Sequence, residues 1–271
     1  MARVEDVSFS DSRLDAYRNL RDRTLRGESL FIAEGDLVVE RLLKSRFGVE
    51  SLLVVDRAMK RVLPMVERYL SSEVPVYTIP YEEVSQLTGF AFHQGVLAVG
   101  RREEVWSWED LLASRRGKRR VLIVLPDITK PDNLGNVFRC AAALGADGIL
   151  LGEQACDPLG RRCLRVSMGG VFQLPWHRSR NLAEDLTRLQ QQGYACYATI
   201  LDTSAVPLRE VVWQPRVALL LGNEYDGLNA EMVEKCDEKI TIPMAEGVDS
   251  LNLGVSCGIF LYEVCETAFS R

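Results

Sequence analysis

Residues 120–151 read RVLIVLPDITKPDNLGNVFRCAAALGADGILL, and the fold class follows from this stretch. Its apolar, β-branched run at 120–126 predicts a buried strand, residues 132–144 predict a helix, and residues 147–151 predict a second strand. Alternation of strands and helices is typical of a mostly parallel sheet that is covered by helices. The stretch therefore predicts an α/β fold.

The alternation extends over the rest of the chain. After a segment at 152–180 without clear periodicity, the sequence predicts helices at 181–192, 229–235 and 251–269 and strands at 194–200, 216–221 and 239–242. The first hundred residues predict a smaller α/β unit, with helices at 11–26, 36–46, 64–70 and 81–87 and strands at 29–33, 51–55, 74–79 and 95–99. A charged stretch separates the two, so we predict a domain at 1–104, a linker at 105–118 and a second domain at 119–271.

The composition narrows the class of protein. The chain has 271 residues, of which 47% are hydrophobic and 26% charged, so it can bury enough apolar surface to fold. No apolar run reaches the roughly 18 residues that a membrane-spanning helix needs, and the N-terminus lacks the apolar stretch of a signal peptide. These features, with seven scattered cysteines and no CxxC pair, predict a cytoplasmic protein with free thiols and no membrane partner.

The common cofactor and metal signals are missing from the sequence. It contains no GxGxxG turn, no GxxxxGKS or GxxxxGKT loop and no GxSxG elbow. A Rossmann dehydrogenase, a P-loop nucleoside triphosphatase and a nucleotide-dependent metabolic enzyme are therefore not supported. The two histidines, His93 and His177, lie far apart and are not grouped with cysteines, so no metal site is predicted.

Two segments combine a structural turn with residues suited to chemistry. The segment KPDNLGNVFR at 130–139 places Asn133 at a helix start and Arg139 about one and a half turns later. The segment LLLGNEYDG at 219–227 runs a strand into Gly222 and puts Glu224 in a tight turn, at the kind of strand end where α/β proteins bind ligands. On spacing alone, the first is equally a helix cap with a surface arginine, and the second a turn that starts a helix.

A third segment, DSLNLGVSCGIFLYE at 249–263, begins a long apolar helix that Ser250 or Asn252 can cap. Apolar residues cover more than one stripe of this helix, so it must be buried on several sides. Both a core helix and a subunit interface fit this pattern.

In their order and spacing, the three segments resemble the signature motifs of the SpoU (TrmH) family of RNA ribose 2′-O-methyltransferases, in the SPOUT superfamily. The family pattern is Asn-x-Gly-x-x-x-Arg, then Leu-Gly-x-Glu-x-x-Gly-Leu leading to Ile-Pro-Met, then Ser-Leu-Asn before a long helix that ends near Tyr-Glu. The first domain resembles the family's ribosomal-protein-L30e-like substrate-binding domain, through FIAEG at 31–35 and HQGV at 93–96. The sequence departs from the family at Gly254, where a serine is common.

The resemblance implies a fold and a cofactor. The second domain would be a SPOUT domain whose carboxyl-terminal part forms a deep trefoil knot, a feature otherwise nearly absent from proteins. Loops of the knot would bind S-adenosylmethionine, which explains why no GxGxxG turn is needed. The cofactor contacts implied at matching positions are Thr199, Leu221, Gly222, Ile242 and Leu251.

The resemblance also implies the reaction, which is transfer of a methyl group to a ribose 2′-hydroxyl of RNA without a metal. Arg139 is assigned to removal of the hydroxyl proton, and the site is oriented by Asn133, Glu224, Ser250 and Asn252. Arginine is effectively always protonated in proteins. Two hypotheses therefore stay open: Arg139 is the base, or it clamps a phosphate and stabilises the developing alkoxide while phosphate or water takes the proton.

RNA binding has to be reconciled with a net charge of -5 and a pI of about 5.3, which argue mildly against a nucleic-acid partner. Two local sets of basic residues offer binding sites for the RNA backbone, and each is alternatively a solvated face. One set is Arg115, Arg116 and Lys118, and the other is Arg161, Arg162 and Arg165, with Arg178 and Arg180 nearby.

The remaining implications concern partners and substrate. The family works as a dimer with the active site at the interface, so we expect a homodimer that buries the last helix. The extra first domain favours ribosomal RNA, and 23S rRNA in particular, over tRNA. The alternatives are a tRNA ribose 2′-O-methyltransferase and a non-catalytic RNA-binding protein of the same fold.

Overall fold

The computed structural model describes residues 3–20, 29–103, 106–113, 119–247 and 250–265. Contacts divide the chain into two units, one formed by Met1–Val105 with Leu159–Gln173 and the other by Trp106–Pro158 with Leu174–Arg271. We call them the N-terminal unit and the C-terminal unit. The segment Leu159–Gln173 lies within the sequence of the second predicted domain but belongs to the N-terminal unit by its contacts.

Strands and helices are numbered in chain order. The strands are β1 (Arg3–Asp6), β2 (Leu30–Glu34), β3 (Val49–Val55), β4 (Pro75–Ile79), β5 (Val96–Arg101), β6 (Arg120–Leu125), β7 (Gly148–Leu151), β8 (Trp176–Arg178), β9 (Ala195–Thr199), β10 (Val206–Pro207), β11 (Arg216–Leu221) and β12 (Glu238–Thr241). The helices are α1 (Asp36–Leu43), α2 (Met59–Tyr69), α3 (Tyr81–Thr88), α4 (Trp108–Leu112), α5 (Pro131–Leu144), α6 (Arg161–Val166), α7 (Leu182–Gln191), α8 (Ala230–Glu234) and α9 (Leu253–Val264). Short 3-10 helices lie at Ser12–Tyr17, Asp56–Ala58, Gly170–Phe172 and Leu208–Glu210.

The described part of the N-terminal unit is built on a mixed five-stranded sheet in the order β1-β4-β3-β5-β2. Strands β1 and β3 both run parallel to β4, and β5 runs antiparallel to β3 and β2. The predicted helix at 11–26 is wrong for residues 11–20, where only Ser12–Tyr17 is helical, as a 3-10 helix. Residues 21–26 lie outside the described ranges. The fully buried Tyr17 explains the short 3-10 helix, because its hydroxyl bonds the Ser51 hydroxyl at 2.8 Å and ties the segment to β3.

The segment Leu159–Gln173, read as irregular from its sequence, completes the core of the N-terminal unit. Its Phe172 ring lies 5.7 Å from the Phe31 ring and 5.4 Å from the Phe47 ring. The guanidinium of Arg41 donates a hydrogen bond to the Met168 carbonyl at 2.7 Å. A short basic helix and an aromatic residue in this segment are therefore structural parts of the first unit.

The described part of the C-terminal unit is built on a seven-stranded sheet in the order β10-β12-β9-β11-β6-β7-β8. The sequence predicts a mostly parallel sheet, and the structure confirms it: every strand pair described in this sheet is parallel. Strand β11 lies between β9 and β6, with Leu221 opposite Thr199 and Leu220 opposite Val124. In a parallel sheet the carboxyl ends of neighbouring strands meet at one edge.

Both faces of this sheet are buried. On one face, Leu122 of β6 and Leu220 of β11 pack in a cluster with Leu186 of α7. Alternate residues of the same strands, Ile123 and Leu219, point to the other face and are also fully buried. Burial on both faces explains why these strands read as continuous apolar runs. No helix within the described ranges is long and apolar enough to cross a membrane.

Candidate active site

The carboxyl ends of β9, β11 and β12 bring most of the predicted cofactor contacts together. Thr199 ends β9 and pairs in register with Leu221 of β11 and with Ile240 of β12. Gly222 directly follows β11, and Ile242 directly follows β12. The Thr199 hydroxyl donates to the Leu220 carbonyl at 2.8 Å, so it is engaged in holding the sheet edge.

A tight turn follows β11 and holds Gly222 against its own chain. The Asn223 and Gly227 backbones exchange two hydrogen bonds of 3.2 Å, and Asn223 Oδ1 accepts from the Tyr225 and Asp226 N–H groups at 2.9 and 2.7 Å. A Cβ atom at Gly222 would lie under 3.0 Å from backbone atoms of Gly227 and Leu228. Glycine is therefore needed at 222 because the turn folds back onto it.

Glu224 lies inside this turn and presents unused acceptors. Both of its carboxylate oxygens are buried and have no hydrogen-bond partner among the described residues. Buried acceptors are almost always satisfied in folded proteins, so these oxygens are suited to donors that a ligand brings. Nearby, hydrogen bonding to Tyr225 raises the pKa of Lys130, and the charge of Glu224 raises it further.

The first and third sequence motifs meet through two asparagines. Asn252 caps α9, where its Oδ1 accepts from the Gly254 N–H at 2.9 Å. Its Nδ2 donates to Oδ1 of Asn133 at 3.0 Å, and Asn133 is buried in the first turn of α5. The helix that carries Arg139 is thereby joined to the start of α9, 119 residues away from Asn133 in the chain.

Arg139 lies six residues after Asn133 on α5, and Ser250 lies two residues before Asn252. Arg139 is exposed on α5, and neither it nor the exposed Ser250 makes a hydrogen bond or ion pair that joins it to another part of the described structure. Leu251, between Ser250 and Asn252, is 37% exposed. Ser250 and Leu251 thus directly precede Asn252, but no described contact joins them to the carboxyl ends of β9, β11 and β12.

The sequence profile of the SpoU rRNA Methylase family matches residues 120–262, more than half of the chain. The chain belongs to the SpoU rRNA methylase family. The matched stretch contains β6 to β12, α5 and most of α9, and so includes every catalytic and cofactor position predicted above.

Relatives of this SpoU protein align with nearly its whole length. It is 35% identical over 269 residues to an uncharacterized tRNA/rRNA methyltransferase of Mycobacterium bovis, with 96% of this chain and 91% of the relative covered. It is 30% identical over 258 residues to the 23S rRNA (guanosine(2553)-2′-O)-methyltransferase RlmP of Bacillus subtilis, with 95% and 97% covered. The crystal structure of an AdoMet-bound rRNA methyltransferase from Sinorhizobium meliloti superposes with a TM-score of 0.80 at 28% identity, with 98% of this chain and 99% of that one covered.

As a member of the SpoU family, the chain is an S-adenosylmethionine-dependent RNA ribose 2′-O-methyltransferase. The predicted family, enzyme class and cofactor are therefore confirmed. The site fits such a cofactor, because the unpartnered Glu224 oxygens can accept from hydroxyl or amino groups of the kind that S-adenosylmethionine carries. Within the described ranges, no three His, Cys, Asp or Glu side chains are grouped as a metal ion requires.

The departure from the family at Gly254 has a local cause in this SpoU protein. A Cβ atom at 254 would lie 2.6 Å from Cβ of Asn136 on α5 and 3.3 Å from Oδ1 of Asn252. Helices α5 and α9 therefore approach too closely here for a larger residue.

We expect Gly254→Ser to lower the free energy of unfolding by about 1–3 kcal/mol, because overpacking would push α9 away from Asn136 and stretch the Asn252–Asn133 hydrogen bond. Thermal unfolding of the full chain measures this. Gly258→Ala is the matched control, since its Cβ would meet Sγ of Cys140 at an ordinary 3.6 Å. A Gly254→Ser protein as stable as the wild type would contradict the expectation.

The predicted RNA-binding residues divide into three groups. Arg115, Arg116 and Lys118 lie outside the described residues. Arg162 and Arg165 are exposed on α6. Arg161 is instead held within the N-terminal unit, where it pairs with Glu34 at 3.0 Å, donates to the Leu20 carbonyl at 2.7 Å and covers the Phe90 ring at 4.4 Å.

Arg178, also read from the sequence as a basic RNA contact, is used by the fold. Its guanidinium donates to four backbone carbonyls, those of Gly152, Glu153, Ala155 and Cys156, at 2.7 to 3.4 Å. We therefore assign Arg178 to holding the loop after β7. Basic side chains that look solvated in the sequence can be used up by backbone acceptors that only the fold brings near.

The cysteines do not supply a reactive group to the site. All seven lie in the described ranges and none forms a disulfide, and burial raises the pKa of Cys196, Cys236 and Cys265 to about 12. Burial also raises the pKa of Cys140, next to Arg139, although the arginine charge opposes the shift. Cys140 is thus a protonated thiol at neutral pH and not a proton acceptor beside Arg139.

Proposed function

We propose that the protein methylates a ribose 2′-hydroxyl of 23S ribosomal RNA. The observation that carries the reaction is the Asn252–Asn133 hydrogen bond, which brings the Arg139 helix and the start of α9 to one place. The choice of 23S rRNA is supported by the alignment with 97% of the Bacillus subtilis 23S rRNA enzyme, which extends over the N-terminal unit. The Mycobacterium bovis relative carries both RNAs in its name, so tRNA is the second candidate.

The site residues have distinct roles in this proposal. S-adenosylmethionine supplies an activated methyl group when bound. The strand ends at Thr199, Leu221, Gly222 and Ile242, with Leu251, hold the cofactor. Asn133 and Asn252 fix the helices, while Glu224 and Ser250 orient the bound groups. Catalysis then consists of positioning and proton removal, with no metal required.

Arg139 acts, in our proposal, as a positively charged clamp rather than a base. Its exposed guanidinium is free to bind a phosphate and to stabilise the alkoxide that develops on the ribose oxygen. A base role would require loss of a proton that arginine keeps under ordinary conditions. Water or the RNA phosphate would then take the ribose proton.

The carboxyl-terminal trefoil knot stays part of the proposal. Family membership and the superposition with the Sinorhizobium meliloti enzyme support it. Residues 242–247, which follow β12, would supply part of the cofactor loops.

The exposed face of α9 supports a homodimer. Val255, Ile259 and Tyr262 lie on one face of the helix and are 52%, 38% and 70% exposed. Exposed apolar groups in a stripe of this kind mark interaction surfaces, and a second copy of the chain would bury them across a two-fold axis.

We expect Ile259→Glu to convert the dimer to a monomer and to lower activity, because a charge would be placed in an apolar interface. Light scattering after size-exclusion chromatography measures the mass. Leu37→Glu on α1, also 38% exposed, is the matched control and should stay dimeric. A wild-type protein that is monomeric at micromolar concentration would contradict the dimer.

RNA contacts are proposed for the exposed Arg162 and Arg165 and for Arg115, Arg116 and Lys118. Charge reversal in both sets should weaken RNA binding and reduce its salt dependence. Unchanged affinity and salt dependence would remove these residues from the proposal.

The substrate is tested by mapping 2′-O-methyl sites in rRNA and tRNA from cells with and without the protein. We expect one site to disappear from 23S rRNA in cells that lack it. Loss of a tRNA site alone would establish the second candidate, and no loss from either RNA would contradict both substrates.

A further inference from the structure

Asp127 contacts the turn that holds Glu224 from the loop that follows the neighbouring strand β6. It lies two residues beyond the end of β6, and Asn223 lies two residues beyond the end of β11. The two strands pair in register, with Val124 opposite Leu220, and the same register continued past the ladder sets Asp127 opposite Asn223. Asn223 Nδ2 donates to Oδ2 of Asp127 at 3.3 Å.

This hydrogen bond anchors the Asn223 amide from the side opposite the turn. An ionised carboxylate only accepts hydrogen bonds, so it selects the NH₂ end of the amide. Oδ1 of Asn223 is then directed at the turn, where it accepts from the Tyr225 and Asp226 N–H groups. Without Asp127 the Nδ2 group would lose its described acceptor, and the amide would be held only by the two backbone N–H groups of the turn.

The turn that Asn223 organises is the one that holds Glu224. Glu224 lies between Asn223 and the two N–H groups that Asn223 binds, and its buried oxygens have no described partner. No described hydrogen bond therefore fixes those oxygens, although the Glu224 charge is near enough to raise the pKa of Lys130. Their position depends on the backbone of the turn, and so on the orientation of Asn223.

We infer that Asp127 is a positioning residue for methyl transfer, which acts through Asn223 to set the turn that carries Glu224. The inference rests on the proposed role of Glu224 in orienting bound groups. The second carboxylate oxygen of Asp127, Oδ1, is buried and has no hydrogen-bond partner among the described residues. Such a group is costly for stability and is expected where function needs it.

The test uses the full-length protein with S-adenosylmethionine as the titrated ligand and transcribed 23S rRNA as substrate. We expect Asp127→Ala to raise the Kd of S-adenosylmethionine about tenfold and to lower kcat about tenfold, the size of effect typical of a lost charge-assisted hydrogen bond. Asp127→Asn keeps an acceptor oxygen and should recover most of both losses. Asn223→Ala should reproduce the Asp127→Ala values, and it serves as the test if Asp127→Ala does not fold.

Asp147→Ala is the matched control for loss of a buried carboxylate. Asp147 accepts from the Val121 N–H at 2.8 Å, at the opposite end of the same strand β6. Asp147→Ala should lower the melting temperature but leave the Kd of S-adenosylmethionine within about twofold of the wild type, because Asp147 lies at the other end of β6 from the turn.

A double-mutant cycle with Glu224→Ala separates positioning from general support. In the Glu224→Ala background, adding Asp127→Ala should lower kcat by less than a further factor of about two, because Glu224, the group that Asp127 positions, is already absent. A further tenfold loss there, or unchanged Kd and kcat in Asp127→Ala, would overturn the inference. A wild-type protein that binds the cofactor but methylates no RNA would refute the proposed function, while the Kd values would still decide the role of Asp127.

Discussion

Arg139→Ala is expected to lower kcat/KM for RNA methylation about a thousandfold, the scale of losing a charged group that stabilises developing oxyanion charge. The side chain is exposed and makes no described hydrogen bond, so its removal should leave the melting temperature and the Kd of S-adenosylmethionine near wild-type values. Methyl transfer to 23S rRNA measures the first quantity, and unfolding and calorimetry measure the others.

The control for Arg139→Ala is Arg209→Ala, which removes another exposed arginine of the C-terminal unit. It should retain activity within about twofold, as surface substitutions usually do. Activity of Arg139→Ala within tenfold of the wild type would refute the assigned role.

Arg139→Lys distinguishes the clamp from the base. Lysine has an ordinary pKa of about 10.4, well below that of arginine. If the residue at 139 is the base, the rate of the lysine variant rises with pH through the pKa of that lysine, because only the deprotonated amine accepts a proton. The clamp predicts the opposite: a reduced rate, because a compact ammonium replaces the bidentate guanidinium, which falls further as the ammonium loses its charge at high pH.

Gly222→Ala is expected to weaken S-adenosylmethionine binding at least about a hundredfold and to destabilise the fold by about 1–3 kcal/mol. Its new Cβ would lie under 3.0 Å from backbone atoms of Gly227 and Leu228, which cannot rotate away as a side chain could. The turn must open, and both the Gly222 backbone and Glu224 would then move away from the strand ends. Calorimetric titration of S-adenosylmethionine and thermal unfolding measure the two effects.

Gly258→Ala again provides the control for Gly222→Ala. Its Cβ has ordinary packing room, and alanine is a better helix former than glycine, so binding should be unchanged and stability equal or slightly higher. Binding by Gly222→Ala within threefold of the wild type would show that the turn does not shape the cofactor site.

Much of the C-terminal unit could be predicted from local patterns. The strand at 216–221 has the bounds of β11, and the helix at 132–144 begins one residue after α5 does. The strand is uniformly apolar and the helix has a clear helical period of apolar residues. Their local sequence patterns therefore favour the same structure that their tertiary contacts stabilise. The short strands β8 and β10 and the helix α6 have no such period, and only their neighbours in the fold reveal them.

The site could be predicted in part, because motifs identify residues but not the bonds between them. Asn133, Glu224 and Asn252 were recognisable from their segments. The pairing of Asp127 with Asn223 depends on strand register across 96 residues, and that of Arg161 with Glu34 spans 127 residues. No local spacing encodes such pairs. The one available signal for Asp127 was its place just after a buried strand, at a ligand-binding edge.

Nucleoside analysis of 23S rRNA after incubation with purified protein and isotopically labelled S-adenosylmethionine tests the assigned chemistry most directly. We expect the label in a single 2′-O-methylribonucleoside, formed without added metal and lost with Arg139→Ala. Label on a base atom, or unchanged labelling by Arg139→Ala, would contradict a ribose methyltransferase site built around Arg139.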